Sequence, residues 1–336
     1  MNRNLKYFLW FLLGLMVSAI LYLIIKVVIM YFKAKNGLNG SWFNKKACGT
    51  GSCKTCDDNK CLPTPNQLVE NLPSNIDFKK WEIDVAKYCS VIIYSIEKSA
   101  QKKIKPVYPK DLVMQKELYD NSGDPIFGVV FTETNKSDNI WISFRGTITS
   151  KELSQDFTYQ QESMFQKQAV KQVSLDFLRT ASGKVANVHK GFVDVYMKFR
   201  DDLSSTLQKL DPNKNKKIII SGHSLGAAIA TMVGADLVQS GYKDVGVYNF
   251  ASPRVGDQTF ADFVDNDLKL PVYRVVNISD LIPNMPPSVS PNFDDYDNPY
   301  MFVHCGKLVY FQINRLSVLN NHLIPVYMAG LHGKLN

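Results

Sequence analysis

The chain has 336 residues, 45% of them hydrophobic and 21% charged, which gives room for one large globular domain and excludes disorder as its default state. A net charge of +8 invites a nucleic-acid reading, but seven of the 39 basic residues (Arg3, Lys6, Lys26, Lys33, Lys35, Lys45 and Lys46) fall in residues 1–46, where there is no acid. The remaining 32 basic residues face 31 acidic ones, so the basic character belongs to the N-terminal flanks and no nucleic-acid partner is expected.

The first element is Tyr7 to Ile25, 19 residues without a charge, long enough to cross a bilayer core as a helix. A cleaved signal peptide is the rival, but the stretch is long for one and no small-x-small cleavage site follows. We therefore expect an N-terminal transmembrane helix within residues 1–32, with the membrane as a partner. Residues 33–77 read as a linker carrying Cys48, Cys53, Cys56 and Cys61, a set suited to two disulfides outside the cell or to a metal ion in a reducing compartment. The lysines after the span favour a cytoplasmic domain and the clustered cysteines an external one, which leaves the side open.

From about Phe78 a helical pattern carries Trp81, Val85, Tyr88, Cys89 and Ile92. "IFGVVFTET" and "IWISFRG" read as strands, and "GFVDVYMKFRDDLSSTLQKL" as a helix. Then "KKIIISGHSLGAAIATMVG", Lys216 to Gly234, runs a β-branched strand into Gly-His-Ser-Leu-Gly and a small-residue helix. A turn this tight forces its central residue into a strained conformation, and side chains two positions away collide with it, hence Gly222 and Gly226. Ser224 is pushed out at the sheet's carboxyl edge, where the helix dipole and the Leu225 amide favour a developing anion. "VGVYNFAS", "DQTFADFVDN" and "PVYRVVNIS" add a strand, a helix and a strand. This alternation predicts an α/β fold, a mostly parallel central sheet with helices on both faces, over residues 78–336.

A serine nucleophile needs a base and the base needs an acid. Following Ser in the order acid then histidine, the base is His304, His322 or His332. His223, beside Ser224, reads as a packing residue of the turn. Asp280 ends the last strand at the correct edge. Asp294, Asp295 and Asp297 fall in a loop with no strand to aim them, and Asp257 reads as a helix cap.

"ISFRGT", "VHKGF", "SGHSLGAAIA", "FASPRVGD" and "VVNISDLIPNMPP" resemble, in order, the motifs of the class 3, fungal-type lipase family of the α/β-hydrolase fold. The resemblance covers residues 78–330. It implies Ser224 as nucleophile, Asp280 as the acid and, through "NNHLIPVY", His322 as the base. It gives His304 a structural role, Thr147 a place beside Leu225 in the oxyanion hole, and Arg145 and Asp156 a bracing role. It implies a lipase-type ester hydrolase acting on acylglycerols or related lipids, with no cofactor. A phospholipase or monoacylglycerol lipase is the nearest alternative, and an anchored binding protein that keeps the fold without turnover is the rival class. After Arg-Gly-Thr the tryptophan common in the family is absent; the stretch from Thr147 to about Phe165 is nevertheless expected to hold a lid.

Overall fold

The computed structural model describes residues 72–333 apart from 74, 121–124, 136–137, 148–171, 181–182, 291 and 293–296. The predicted membrane span, the cysteine cluster, Asp156, Asp294, Asp295 and the lid stretch lie outside the described residues. Among the described residues, no helix is long and apolar enough to cross a membrane, and no group of three or more His, Cys, Asp or Glu side chains is placed to hold a metal ion.

The chain order is helix α1 (Ile83–Lys102), strands β1 (Leu112–Leu118), β2 (Gly128–Glu133), β3 (Asn139–Phe144), β4 (Gln172–Arg179) and β5 (Val185–His189), then helices α2 (Lys190–Tyr196) and α3 (Arg200–Leu210). Strand β6 (Lys217–His223), helix α4 (Leu225–Gln239), strand β7 (Asp244–Phe250), helix α5 (Gln258–Asp262) and strand β8 (Val272–Asn277) follow. The two-residue strands β9 (Val289–Ser290) and β10 (Tyr300–Met301) lead to strand β11 (Lys307–Phe311) and helices α6 (Val318–His322) and α7 (Ile324–His332).

Seven strands form the central sheet in the order β1-β2-β3-β6-β7-β8-β11. The β1–β2 and β2–β3 pairs are antiparallel and every later pair is parallel. The β-branched run of β6 explains why it sits centrally. Ile218, Ile219 and Ile220 are all fully buried, and the period-two alternation sends Ile218 and Ile220 to one face and Ile219 to the other. On the first face they join Ala228, Ile229 and Met232 of α4 and Leu203 and Leu207 of α3; on the second, Tyr88, Ile92 and Ile96 of α1 and Tyr327 and Leu331 of α7. The expected two-sided α/β layering is therefore present.

Three expectations are corrected. The helix expected from about Phe78 starts at Ile83, because Phe78 and Trp81 instead pack on the sheet, Trp81 with its ring 5.7 Å from Tyr248 and 5.6 Å from Tyr273. The helix expected over 191–210 is broken at Met197–Phe199. Phe199 leaves helical geometry (φ −127°, ψ 2°) and turns inward to stack on Phe144 at 5.6 Å. The helix expected from Asp257 widens after Asp262 into a π turn, Phe263–Asp267. Strand β1 had no clear signal in the sequence, since Val113 and Met114 of this edge strand are exposed among polar neighbours.

Candidate active site

The parallel registers align the carboxyl ends of the strands: Phe144 pairs with Gly222, His223 with Phe250, and Phe250 with Val275. Residues just beyond β3, β6 and β8 therefore emerge at one edge, and these are Thr147, Ser224 and Asp280.

The turn after β6 is as tight as its glycines require. Ser224 holds φ 55°, ψ −123°, a conformation that costs an L-residue about 1–3 kcal/mol. A Cβ on Gly222 would lie 2.1 Å from the Gly226 carbonyl oxygen, and one on Gly226 would lie 2.4 Å from the Arg145 carbonyl oxygen. Neither obstacle is a side chain that can swing away. We expect Gly222→Ala to destabilise the fold by about 3 kcal/mol or more, read as a fall in the urea midpoint at unchanged m-value; a shift within error would mean that the turn relaxes freely.

Ser224, His322 and Asp280 meet at this edge. The Ser224 hydroxyl donates to His322 Nε2 at 2.8 Å, and His322 Nδ1–H donates to Asp280 Oδ2 at 2.8 Å. Asp280 also accepts the Tyr327 hydroxyl at 2.6 Å on Oδ2 and the Ile282 amide at 3.0 Å on Oδ1. Ser224 is 5% exposed, and His322 and Asp280 1% each. Burial pushes the Asp280 carboxyl up, but the His322 ring, the Tyr327 hydroxyl and the Ile282 amide outweigh it and hold the acid below its ordinary range. Burial pushes the His322 ring down and, with the neighbouring His223, outweighs the pull of Asp280, so the ring is neutral and its Nε2 lone pair faces the serine.

The loops that carry acid and base are locked together. Asn277, at the end of β8, donates to the Ile313 and Asn321 carbonyls and accepts the Ile313 and Ser279 amides; Asn321 donates to the Ser279 carbonyl. His304 donates from Nε2 to the Pro283 carbonyl at 2.7 Å, and burial with Arg274 and Arg254 pushes its pKa down to about 3. It braces the acid's loop and does not reach the serine. His332 lies exposed at the end of α7.

Leu225 is the first residue of α4, where a backbone N–H has no partner within the helix. The segment bearing Thr147 runs against the nucleophile, because a Cβ on Gly146 would lie 3.0 Å from Ser224 Cβ. Arg145 is buried and donates to the carbonyls of Pro125, Ile126 and Gly146, which fixes this corner. Asp257 caps α5 through the Phe260 amide at 2.8 Å, and Asp297 is exposed.

Two residues here were not singled out in the sequence. Tyr327 shares Asp280 Oδ2 with the histidine. Glu97, on α1, lies 2.7 Å from His223 Nδ1 and accepts the Gly146 amide at 3.0 Å. Glu97 had a signal: with Cys89 and Ile93 it continues an i, i+4, i+8 series on the buried face of α1, where an unpaired carboxylate would be costly.

The family model described as Lipase (class 3) matches residues 141–290. A lipase of Rhizopus niveus is 30% identical over 159 residues, 46% of this chain and 36% of that protein. A secreted mono- and diacylglycerol lipase of Malassezia globosa is 35% identical over 123 residues, 35% of this chain and 38% of that protein. The chain thus spans little more than a third of the length of these relatives. Among solved structures, lipase II from Rhizopus niveus aligns with a TM-score of 0.51 at 24% identity, covering 68% of this chain and 79% of that one. The lipase from Rhizopus microsporus var. chinensis aligns with a TM-score of 0.51 at 23% identity over 78% of this chain and 84% of that one. The serine turn falls within the stretch that the family model matches; over that stretch the chain is similar to class 3 lipases, and its fold is the α/β fold of these solved lipases.

Proposed function

We propose that the chain hydrolyses carboxylic esters of lipids, acylglycerols or related molecules, through an acyl-enzyme on Ser224. The observation that carries this reading is the unbroken hydrogen-bond chain from Asp280 through His322 to Ser224 at the carboxyl edge of the sheet. Ser224 Oγ attacks the ester carbonyl carbon while His322 Nε2 takes its proton, and the Leu225 and Thr147 donors hold the tetrahedral oxyanion. Collapse expels the alcohol, which leaves with the proton from His322. Water then repeats the sequence, giving up a proton to His322 and releasing the acid with Ser224 restored. Asp280 stays ionised throughout, and the Tyr327 hydroxyl keeps its charge aimed at Nδ1.

The uncharged span Tyr7 to Ile25 would hold the site at a membrane, close to lipid esters. Mono- and diacylglycerols are the first choice among substrates, given the Malassezia relative's name. Phospholipids are the second: a rice protein named phospholipase A1-II 1 is 34% identical over 130 residues. Incubation of the full-length chain with a panel of mono-, di- and triacylglycerols and phosphatidylcholine, with free fatty acid as the readout, tests both. Release from acylglycerols supports the first reading, release from phosphatidylcholine alone replaces it with the second, and release from none rejects ester hydrolysis.

The base also fixes a pH dependence. His322 works only when unprotonated, and burial disfavours its cation. The acid limb of kcat/KM is therefore expected below the ordinary histidine value of 6.5. Titrating kcat/KM against pH on a soluble ester checks it, and a limb above 6.5 would contradict the neutral, buried base.

A further inference from the structure

Behind the triad runs a second hydrogen-bonded chain that the proposed reaction does not use. Glu97 is 6% exposed; its Oε1 lies 2.7 Å from His223 Nδ1 and 3.0 Å from the Gly146 nitrogen. On its other side, His223 Nε2 lies 2.7 Å from the carbonyl oxygen of His322. One carboxylate and one ring thereby join the residue before Ser224, the residue before Thr147 and the backbone of the base. A carbonyl oxygen only accepts, so His223 Nε2 carries a hydrogen. Nδ1 faces a carboxylate oxygen that also accepts the Gly146 amide hydrogen, an arrangement that a donating Nδ1–H and an ionised Glu97 satisfy together. With both ring nitrogens donating, the ring would be a cation and Glu97 its counter-ion.

We propose that Glu97 and His223 are positioning residues: a buried ion pair that clamps the backbone of His322 to the serine turn and sets a cation beside the His322 ring, keeping that ring neutral and ready for the Ser224 proton. The catalytic half of this proposal rests on the ester-hydrolase reading; the protonation state of His223 does not. The two histidine rings lie 4.7 Å apart between centroids, inclined by 33°. His322 also faces Ser224 at Nε2 and Asp280 at Nδ1, with Tyr327 behind Asp280. His223 faces Glu97, the His322 carbonyl and, 5.9 Å away edge-on, the Tyr327 ring, with the charge of Asp280 farther off.

Burial pushes the His223 ring down, but Glu97, the His322 carbonyl and Asp280 outweigh it and raise it above its ordinary value. Burial pushes Glu97 up, and His223 with the Gly146 amide brings it below its own. At His322 the His223 cation opposes protonation more than Glu97 favours it. Removing the anion with Glu97→Gln returns His223 to a neutral ring whose Nε2–H still serves the His322 carbonyl. His322 then loses more repulsion than attraction and protonates more easily.

Two measurements test this. In the full-length wild-type chain labelled with 15N-histidine, one ring is expected to keep both nitrogens protonated at pH 8, and to become a neutral tautomer in Glu97→Gln. For Glu97→Gln the acid limb of kcat/KM on a soluble ester is expected at higher pH, with kcat about 10- to 100-fold lower and KM little changed. The proposal is overturned if no imidazolium persists at pH 8 in the wild type. It is equally overturned if Glu97→Gln keeps the wild-type pH profile and loses activity only in proportion to its loss of folded protein. An imidazolium in a chain that hydrolyses no ester would uphold the ion pair and reject the ester-hydrolase reading instead.

Discussion

Ser224→Ala and His322→Ala are each expected to lower kcat for ester hydrolysis by about 10⁶-fold, with the fold intact. The first removes the hydroxyl placed to form the acyl bond, and the second removes the acceptor 2.8 Å from it. Because the two act as a unit, the double variant should lose little more than either single one, and a residual rate above that of water should remain from the oxyanion donors. Circular dichroism and urea unfolding check the fold. Ser224→Ala also relieves no turn strain, since alanine is as strained as serine at φ 55°, so its midpoint should stay near that of the wild type. Near-normal turnover in His322→Ala, with loss in His304→Ala, would move the base to another residue; the bond of His304 to the Pro283 carbonyl argues against that outcome.

Asp280→Asn is expected to cost about 10⁴-fold in kcat, equivalent to about 5 kcal/mol of transition-state stabilisation. Asp280 Oδ2 accepts the His322 Nδ1–H and so leaves Nε2 free to accept the serine proton. An asparagine can turn its amide N–H toward Nδ1, which moves the ring hydrogen to Nε2 and points it at the serine. The variant also takes away the negative charge that stabilises the imidazolium formed during attack. The loss should appear in kcat and kcat/KM alike. A rise in KM alone would place Asp280 in substrate binding.

How much of this could be read in the sequence depended on whether the determinant was local. The serine turn was legible because its steric demand falls within five residues, Gly222 to Gly226. Asp280 was legible because the strand before it is apolar and ends one turn earlier. His322 is different: three histidines followed the acid, nothing local distinguished them, and only the resemblance of "NNHLIPVY" to a family segment separated them. Its place is set by the bond of Asn277 to the carbonyl of the preceding Asn321 and by its own bond to Asp280, both partners some 40 residues earlier in the chain. Glu97 is 126 residues from His223, and no spacing rule links an early helix to a late turn. What the sequence did offer was a carboxylate on an otherwise apolar helix face, a sign that a partner must exist without saying which. The break at Phe199 is not legible in the sequence for a related reason. Its helical pattern continues through the break, and the preference for packing on Phe144 is a tertiary one.

The most direct test of Ser224 as the nucleophile is covalent. The full-length chain is incubated with a fluorophosphonate, digested, and its peptides are weighed by mass spectrometry. The account predicts one phosphonyl group per chain, on Ser224 alone, formed in step with loss of hydrolysis and absent from Ser224→Ala. A chain that hydrolyses esters while Ser224 stays unlabelled, or that is inactivated by labelling at another residue, would contradict it.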